Sequence, residues 1–128
     1  MKEAKLTVDI NKPAKQVFDF VTNPNNTPKW IDAITAEVTS EWPIKIGTIY
    51  KNKSKEGEWS TYTMTEFKDG VRFVLSKGDG RYHVQYTLAP ITNSSCRLEY
   101  YEWVDHGQLD EVFALYILEK LKTVVEVQ

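Results

Sequence analysis

From Ile34 to Val104 apolar and polar residues alternate almost without interruption, the period of two that marks strands with one buried face. Turn signals cut this stretch at Pro43, Lys55-Glu56-Gly57, Lys68-Asp69-Gly70, Gly78-Asp79-Gly80 and Thr92-Asn93-Ser94-Ser95. They predict strands over Ile34–Glu41, Thr48–Ser54, Glu58–Phe67, Val71–Ser76, Arg81–Pro90 and Cys96–Val104. Connections this short join antiparallel neighbours, so the strands form a meander. A first strand, Ala4–Asn11, precedes them, with Leu6, Val8 and Ile10 on one face.

Two short helical segments, Pro13–Thr22 and Pro24–Asp32, separate that first strand from the rest. Pro13 opens the first where a missing N–H costs least, and Val17, Phe18 and Val21 give it an apolar side. Asn23-Pro24 stops it, and Pro28-Lys29-Trp30 closes an irregular second turn with a large aromatic. The last segment, Leu109–Val125, repeats at helical spacing. Leu109, Phe113, Ile117, Leu121 and Val124 share one stripe, with Glu111, Glu119, Lys122 and Glu126 opposite. Such a helix is roughly 25 Å long, enough to lie across the concave face of one curved sheet.

The order strand, Pro-initiated helix, Asn23-Pro24 break and Pro28-x-Trp30, followed by Ile46-Gly47 and a terminal helix, resembles the START-like superfamily of Bet v 1 and polyketide cyclase/dehydrase and lipid-transport proteins (SRPBCC). The likeness covers nearly the whole chain. It implies an α+β helix-grip fold: a curved antiparallel sheet of six to seven strands around a long C-terminal helix, as one domain over residues 1–128. It also implies a cavity between sheet and helix that takes a hydrophobic ligand, lipid-like or aromatic and polyketide-like. The short terminal helix implies a smaller cavity than in relatives where that helix is longer.

Clean alternation directs Tyr50, Tyr62, Met64, Phe73, Leu75, Tyr82, Val84, Tyr86, Leu88, Leu98, Tyr100 and Glu102 towards the helix. The helix adds Phe113, Tyr116 and Ile117, and Trp30 closes one end. The leucines read as core. Five tyrosines on one face are hard to satisfy in a dry interior, because each phenol needs a hydrogen-bond partner. The expected ligand-binding set is therefore Trp30, Tyr50, Tyr62, Met64, Phe73, Tyr82, Tyr86, Tyr100, Glu102, Phe113, Tyr116 and Ile117.

No catalytic set is assigned. The candidate ionisable groups are Glu102, whose parity points inward unless the strand twists it into solvent, and His106, in the Asp105-His106-Gly107 loop, where the aspartate could orient it. His83 shares parity with Arg81 and Gln85 on the outer face. Trp59, Tyr101 and Trp103 also face outward, either as half-exposed sheet residues or as an apolar patch for a partner subunit in a homodimer.

Charge and cysteine content narrow the partners. Sixteen bases against eighteen acids leave a net charge of −2, which favours neither nucleic acid nor an anionic membrane. The single Cys96 permits no internal disulfide and reads as a small buried hydrophobe, which together with the lack of a leader suits the cytoplasm. No apolar run is long enough to span a membrane. Two histidines and one cysteine far apart match no metal-ligand spacing, and no phosphate loop or cofactor motif is present, so neither a metal nor a cofactor is expected. A small-molecule binder and a cyclase or dehydratase both fit, as does a partner-binding module if the cavity is filled. Only one ionisable group points inward, which favours binding over proton transfer.

Overall fold

The computed structural model describes all residues from Met1 to Gln128. Seven strands form one antiparallel sheet: β1 Glu3–Ile10, β2 Ile34–Thr39, β3 Ile49–Ser54, β4 Trp59–Lys68, β5 Arg72–Lys77, β6 Tyr82–Thr92 and β7 Ser95–Val104. Their order is β1-β7-β6-β5-β4-β3-β2, so β2 to β7 run as the expected meander and β1 closes onto β7. The helices are α1 Ala14–Thr22, α2 Thr27–Trp30 after a single tight turn at Pro24–Asn26, and α3 Leu115–Glu126. This is the helix-grip architecture, with the sheet curled into a half-barrel.

Local chemistry explains the ends of the first helices. The carbonyl of Pro13 accepts the N–H of Val17 at 3.1 Å, and the Asn23 side chain accepts the N–H of Asn25 at 3.0 Å. Pro24 has no N–H to continue the ladder. On the buried side of α1, Phe18 packs edge-on against Phe73 with centroids 5.6 Å apart. Burial of a side chain of this size stabilises by about 1.5–3 kcal/mol.

Inward parity holds across the sheet. Tyr50, Met64, Phe73, Val84, Tyr86, Leu88, Leu98, Tyr100 and Glu102 are buried, while Tyr62, Leu75 and Tyr82 are half-buried. A bulge between Met64 and Glu66 resets β4 by one residue, which turns Phe67 inward onto Phe18. Cys96 is buried beside Ile10, its register partner.

One element differs from expectation. The last helix starts at Leu115, not Leu109, and residues 109–114 run as an irregular strap bent at Asp110 and Glu111. Tertiary hydrogen bonds hold this strap and the loop before it. The N–H of Leu109 goes to the carbonyl of Met1 at 2.9 Å, and Arg81 donates to the carbonyls of His106 and Gln108 at 3.0 and 2.7 Å. The N–H of Phe113, which would donate the first bond of a helix begun at Leu109, goes instead to the Glu102 carboxylate at 2.8 Å and is not available for a helical ladder. The buried stripe of α3 also rotates by one position, to Leu118, Leu121 and Val125, leaving Ile117 and Val124 half-buried. α3 lies along β1 and touches α2, tied by Lys122 to the carbonyl of Asp9 at 2.8 Å and by Lys120 to Asp32. No helix is long and apolar enough to cross a membrane.

Candidate ligand cavity

A cavity of about 440 Å³ opens on the concave face, between the sheet, α2, the inner side of β2 and the strap. Its position departs from expectation, because no residue of α3 lines it. The helix covers the β1 end of the sheet instead, and α2 with the strap roofs the space over β3 to β6. Fourteen of the twenty lining residues are hydrophobic, which suits an apolar guest held by a few polar groups.

The back wall is a chain of aromatic rings. Phe73 stacks on Tyr86 at 4.8 Å, Tyr86 meets Tyr100 edge-on at 5.3 Å, and Tyr100 stacks on Phe113 at 4.1 Å. Trp30 closes the end, edge-on to both Tyr86 and Phe113 at 6.4 Å. It is 2% exposed, and its indole N–H has no acceptor in the protein.

The phenols divide by their partners. Tyr50 donates to the carbonyl of Thr22 at 2.7 Å, which pins the end of α1 to β3. Tyr82 donates to Glu102 Oε1 at 2.8 Å and lies 3.4 Å from the Tyr100 hydroxyl. The hydroxyls of Tyr62 and Tyr86 have no protein partner, yet they are not among the sealed unpaired atoms, so they face the open space. Burial raises the pKa of Tyr50, Tyr62, Tyr82, Tyr86 and Tyr100, so the wall presents neutral phenols.

Glu102 is 1% exposed, so the strand does not twist it into solvent. It is also not free: Oε1 accepts from Tyr82, and Oε2 accepts the backbone N–H of Phe113 at 2.8 Å. It therefore latches the strap to β7. Two other carboxylates line the cavity, Glu111 at its exposed rim and Glu37 on β2, half-buried within. Glu37 Oε1 accepts the Thr27 hydroxyl at 2.6 Å, and Oε2 lies 3.5 Å from the Asn52 amide. Burial pushes its carboxyl above the ordinary range, against the pull of those two donors.

A sequence profile for polyketide cyclase / dehydrase and lipid transport proteins matches residues 1–126. The chain belongs to that family. No curated protein sequence matches it. Among solved structures, XoxI from Bacillus cereus superposes with a TM-score of 0.74 at 14% identity, over 98% of this chain and 96% of that one. The Aha1 dimer from Colwellia psychrerythraea gives 0.71 at 13%, over 99% and 98%. The di-domain ARO/CYC BexL of the BE-7585A biosynthetic pathway gives 0.68 at 13%, over 81% of this chain and 36% of that one. At these identities the likeness is one of fold.

Within this polyketide cyclase-like chain, eight of the expected ligand residues line the inner cavity: Trp30, Tyr50, Tyr62, Phe73, Tyr82, Tyr86, Tyr100 and Phe113. Met64 is wholly buried and does not. Glu102, Tyr116 and Ile117 border an adjoining cleft of about 740 Å³ on the other side of the strap, where Tyr116 is 69% exposed. Sequence reasoning missed Glu37 and Asn52. Both sit on inward positions of β2 and β3, and the only signal was their alternation with Val38 and Lys51.

His106 is exposed, and Asp105 faces His83 rather than its neighbour, which removes the expected loop pair. On the outer face Thr65, Ser76, His83 and Asp105 form a line: Thr65 and Ser76 hydroxyls 3.0 Å apart, Ser76 to His83 Nδ1 2.7 Å, His83 Nε2 to Asp105 2.9 Å. The residue types match a hydrolytic triad, but the serine is buried and none of the three borders the cavity, so this line is structural. His83 stacks on Trp103 at 4.9 Å and Trp103 on Tyr101 at 5.0 Å, whereas Trp59 stands apart, 53% exposed.

Proposed function

We propose that this chain is a small-molecule-binding protein that encloses an apolar, ring-bearing ligand in the cavity behind the sheet. The observation that supports it is the unfilled space of about 440 Å³ walled by stacked aromatics, with two phenol hydroxyls left without protein partners. Burial against Phe73, Leu75 and Phe113 supplies affinity, and the phenols of Tyr62 and Tyr86 orient polar atoms of the guest. A neutral apolar dye such as Nile red should bind at about one per chain and raise the melting temperature, because a ligand that favours the native state stabilises it. Absence of both effects would overturn the reading.

The second reading is a cyclase or dehydratase working in the same space. It is favoured by Glu37, a carboxylate with raised pKa facing an apolar cavity beside protonated phenols. Glu102, with both oxygens engaged, is not the base of that scheme. Turnover of a reactive poly-ketone by the native chain and not by Glu37→Gln would select this reading.

A further inference from the structure

Every charged side chain lining the inner cavity is a carboxylate. Glu37 and Glu111 contribute, and no lysine, arginine or histidine does. Glu111 stands exposed at the rim, whereas Glu37 is half-buried within. A carboxylate offers roughly four acceptor positions. Glu37 uses two of them, with one short bond from Thr27 and one long contact from Asn52, and it forms no ion pair. The lysines of β3 do not reach it: Lys51 and Lys53 flank its register partner Asn52 and project from the opposite face.

A second observation is independent of that carboxylate. Tyr86 is 7% exposed, lines the same space, and its hydroxyl has no partner in the protein. Glu37, Tyr62 and Tyr86 line one and the same cavity, and the charge of Glu37 adds to burial in keeping these phenols protonated.

We infer that the inner cavity selects ligands that carry a protonated amine on an apolar, ring-bearing body, with Glu37 as counter-ion, and that it rejects carboxylates of the same size and shape. This rests on the ligand-binding reading above. An ammonium brings three donors to a cavity lined by acceptors: Glu37 Oε2 and the phenol oxygens of Tyr62 and Tyr86. A carboxylate would bring a second negative charge beside Glu37 with only neutral phenols to receive it, and like charges in a poorly screened site are strongly unfavourable.

The test is a matched series differing only in the terminal group: phenylbutylamine, phenylbutanol and phenylbutyrate, titrated into the native chain and followed by tryptophan fluorescence and melting temperature. The amine should bind about tenfold or more tighter than the alcohol, the increment of a charge-assisted hydrogen bond, and the carboxylate weakest. Glu37→Gln should abolish the preference for the amine over the alcohol, lowering the affinity of the amine far more than that of the alcohol. Equal binding of amine and alcohol, tight binding of the carboxylate, or an unaltered amine affinity in Glu37→Gln would each overturn the inference while leaving the cavity reading intact. Failure of all three probes and of the neutral dye overturns both. The comparison of probes on the native chain does not depend on how well any variant folds.

Discussion

Phe113 donates its backbone N–H to Glu102 Oε2 across 2.8 Å, and this bond makes a candidate ligand-binding carboxylate the group that positions the cavity roof. The other oxygen holds Tyr82, so one carboxylate joins the strap, β6 and β7. Glu102→Ala would remove the acceptor of a half-buried N–H and the shorter of the two contacts of the Tyr82 phenol, at about 1–3 kcal/mol for each such group. A total loss of about 2–4 kcal/mol is expected in chemical denaturation, with Glu102→Gln losing less because its amide can still accept from Phe113. A loss below about 1 kcal/mol for Glu102→Ala would show that the strap is held by other contacts.

Leu75 and Ile117 separate the two spaces on either side of the strap. Leu75 lines the inner cavity, and Ile117 borders only the outer cleft. Leu75→Trp should fill the inner space and abolish binding of a neutral apolar dye, while Ile117→Trp should leave it largely intact. Loss of binding in Ile117→Trp with retention in Leu75→Trp would place the ligand in the outer cleft instead.

Stability and ligand recognition should oppose each other at Glu37. Burial raises its folded pKa above the ordinary glutamate value of 4.5. A raised value means that the native state prefers the protonated form, so this contribution is fully present below that ordinary value and lost as pH rises through the folded one. Glu37→Gln cannot ionise and escapes the loss. Its denaturation midpoint should exceed that of the native chain at about pH 7, and the difference should shrink towards about pH 4. A difference independent of pH would contradict the burial of that charge.

Trp30 carries the wall between α2 and the aromatic chain. Trp30→Ala should cost about 3–5 kcal/mol, as for other large aromatics removed from a core, and should weaken dye binding. Trp30→Phe should cost markedly less, because it also removes an indole N–H that has no acceptor. Urea denaturation of the pair distinguishes packing from polarity.

The sheet was legible because its signal is local: alternation assigns each residue a face, and Gly57, Gly70 and Gly80 mark the turns with positive φ of 87°, 74° and 78°. The inward tyrosines followed from the same rule, while the burial of Trp30 was read from the Pro28-x-Trp30 turn that closes the second helical segment. The start of α3 did not, because Leu109 and Phe113 fit a helical stripe as well as an extended one. What decides is a carboxylate on β7 that competes for the Phe113 amide. Glu37 was missed for a related reason. A charged residue among alternating positions reads as solvated, and only the fold brings α2 over it. The pairing of Asp105 with His83 instead of His106 is again a long-range outcome, set by the register of β6 on β7.

The hydroxyl–imidazole–carboxylate line on the convex side has a bearing on the concave one. It runs from Thr65 on β4 through Ser76 on β5 and His83 on β6 to Asp105 just beyond β7, and its central link closes in the observed pairing of Ser76 with His83. Sliding β6 by one residue would put Tyr82 or Val84 opposite Ser76, break the line and turn Tyr86 outward with its neighbours. The outer face thus works as a vernier: the alignment of the aromatic wall inside is encoded in polar groups on the far side of the same sheet.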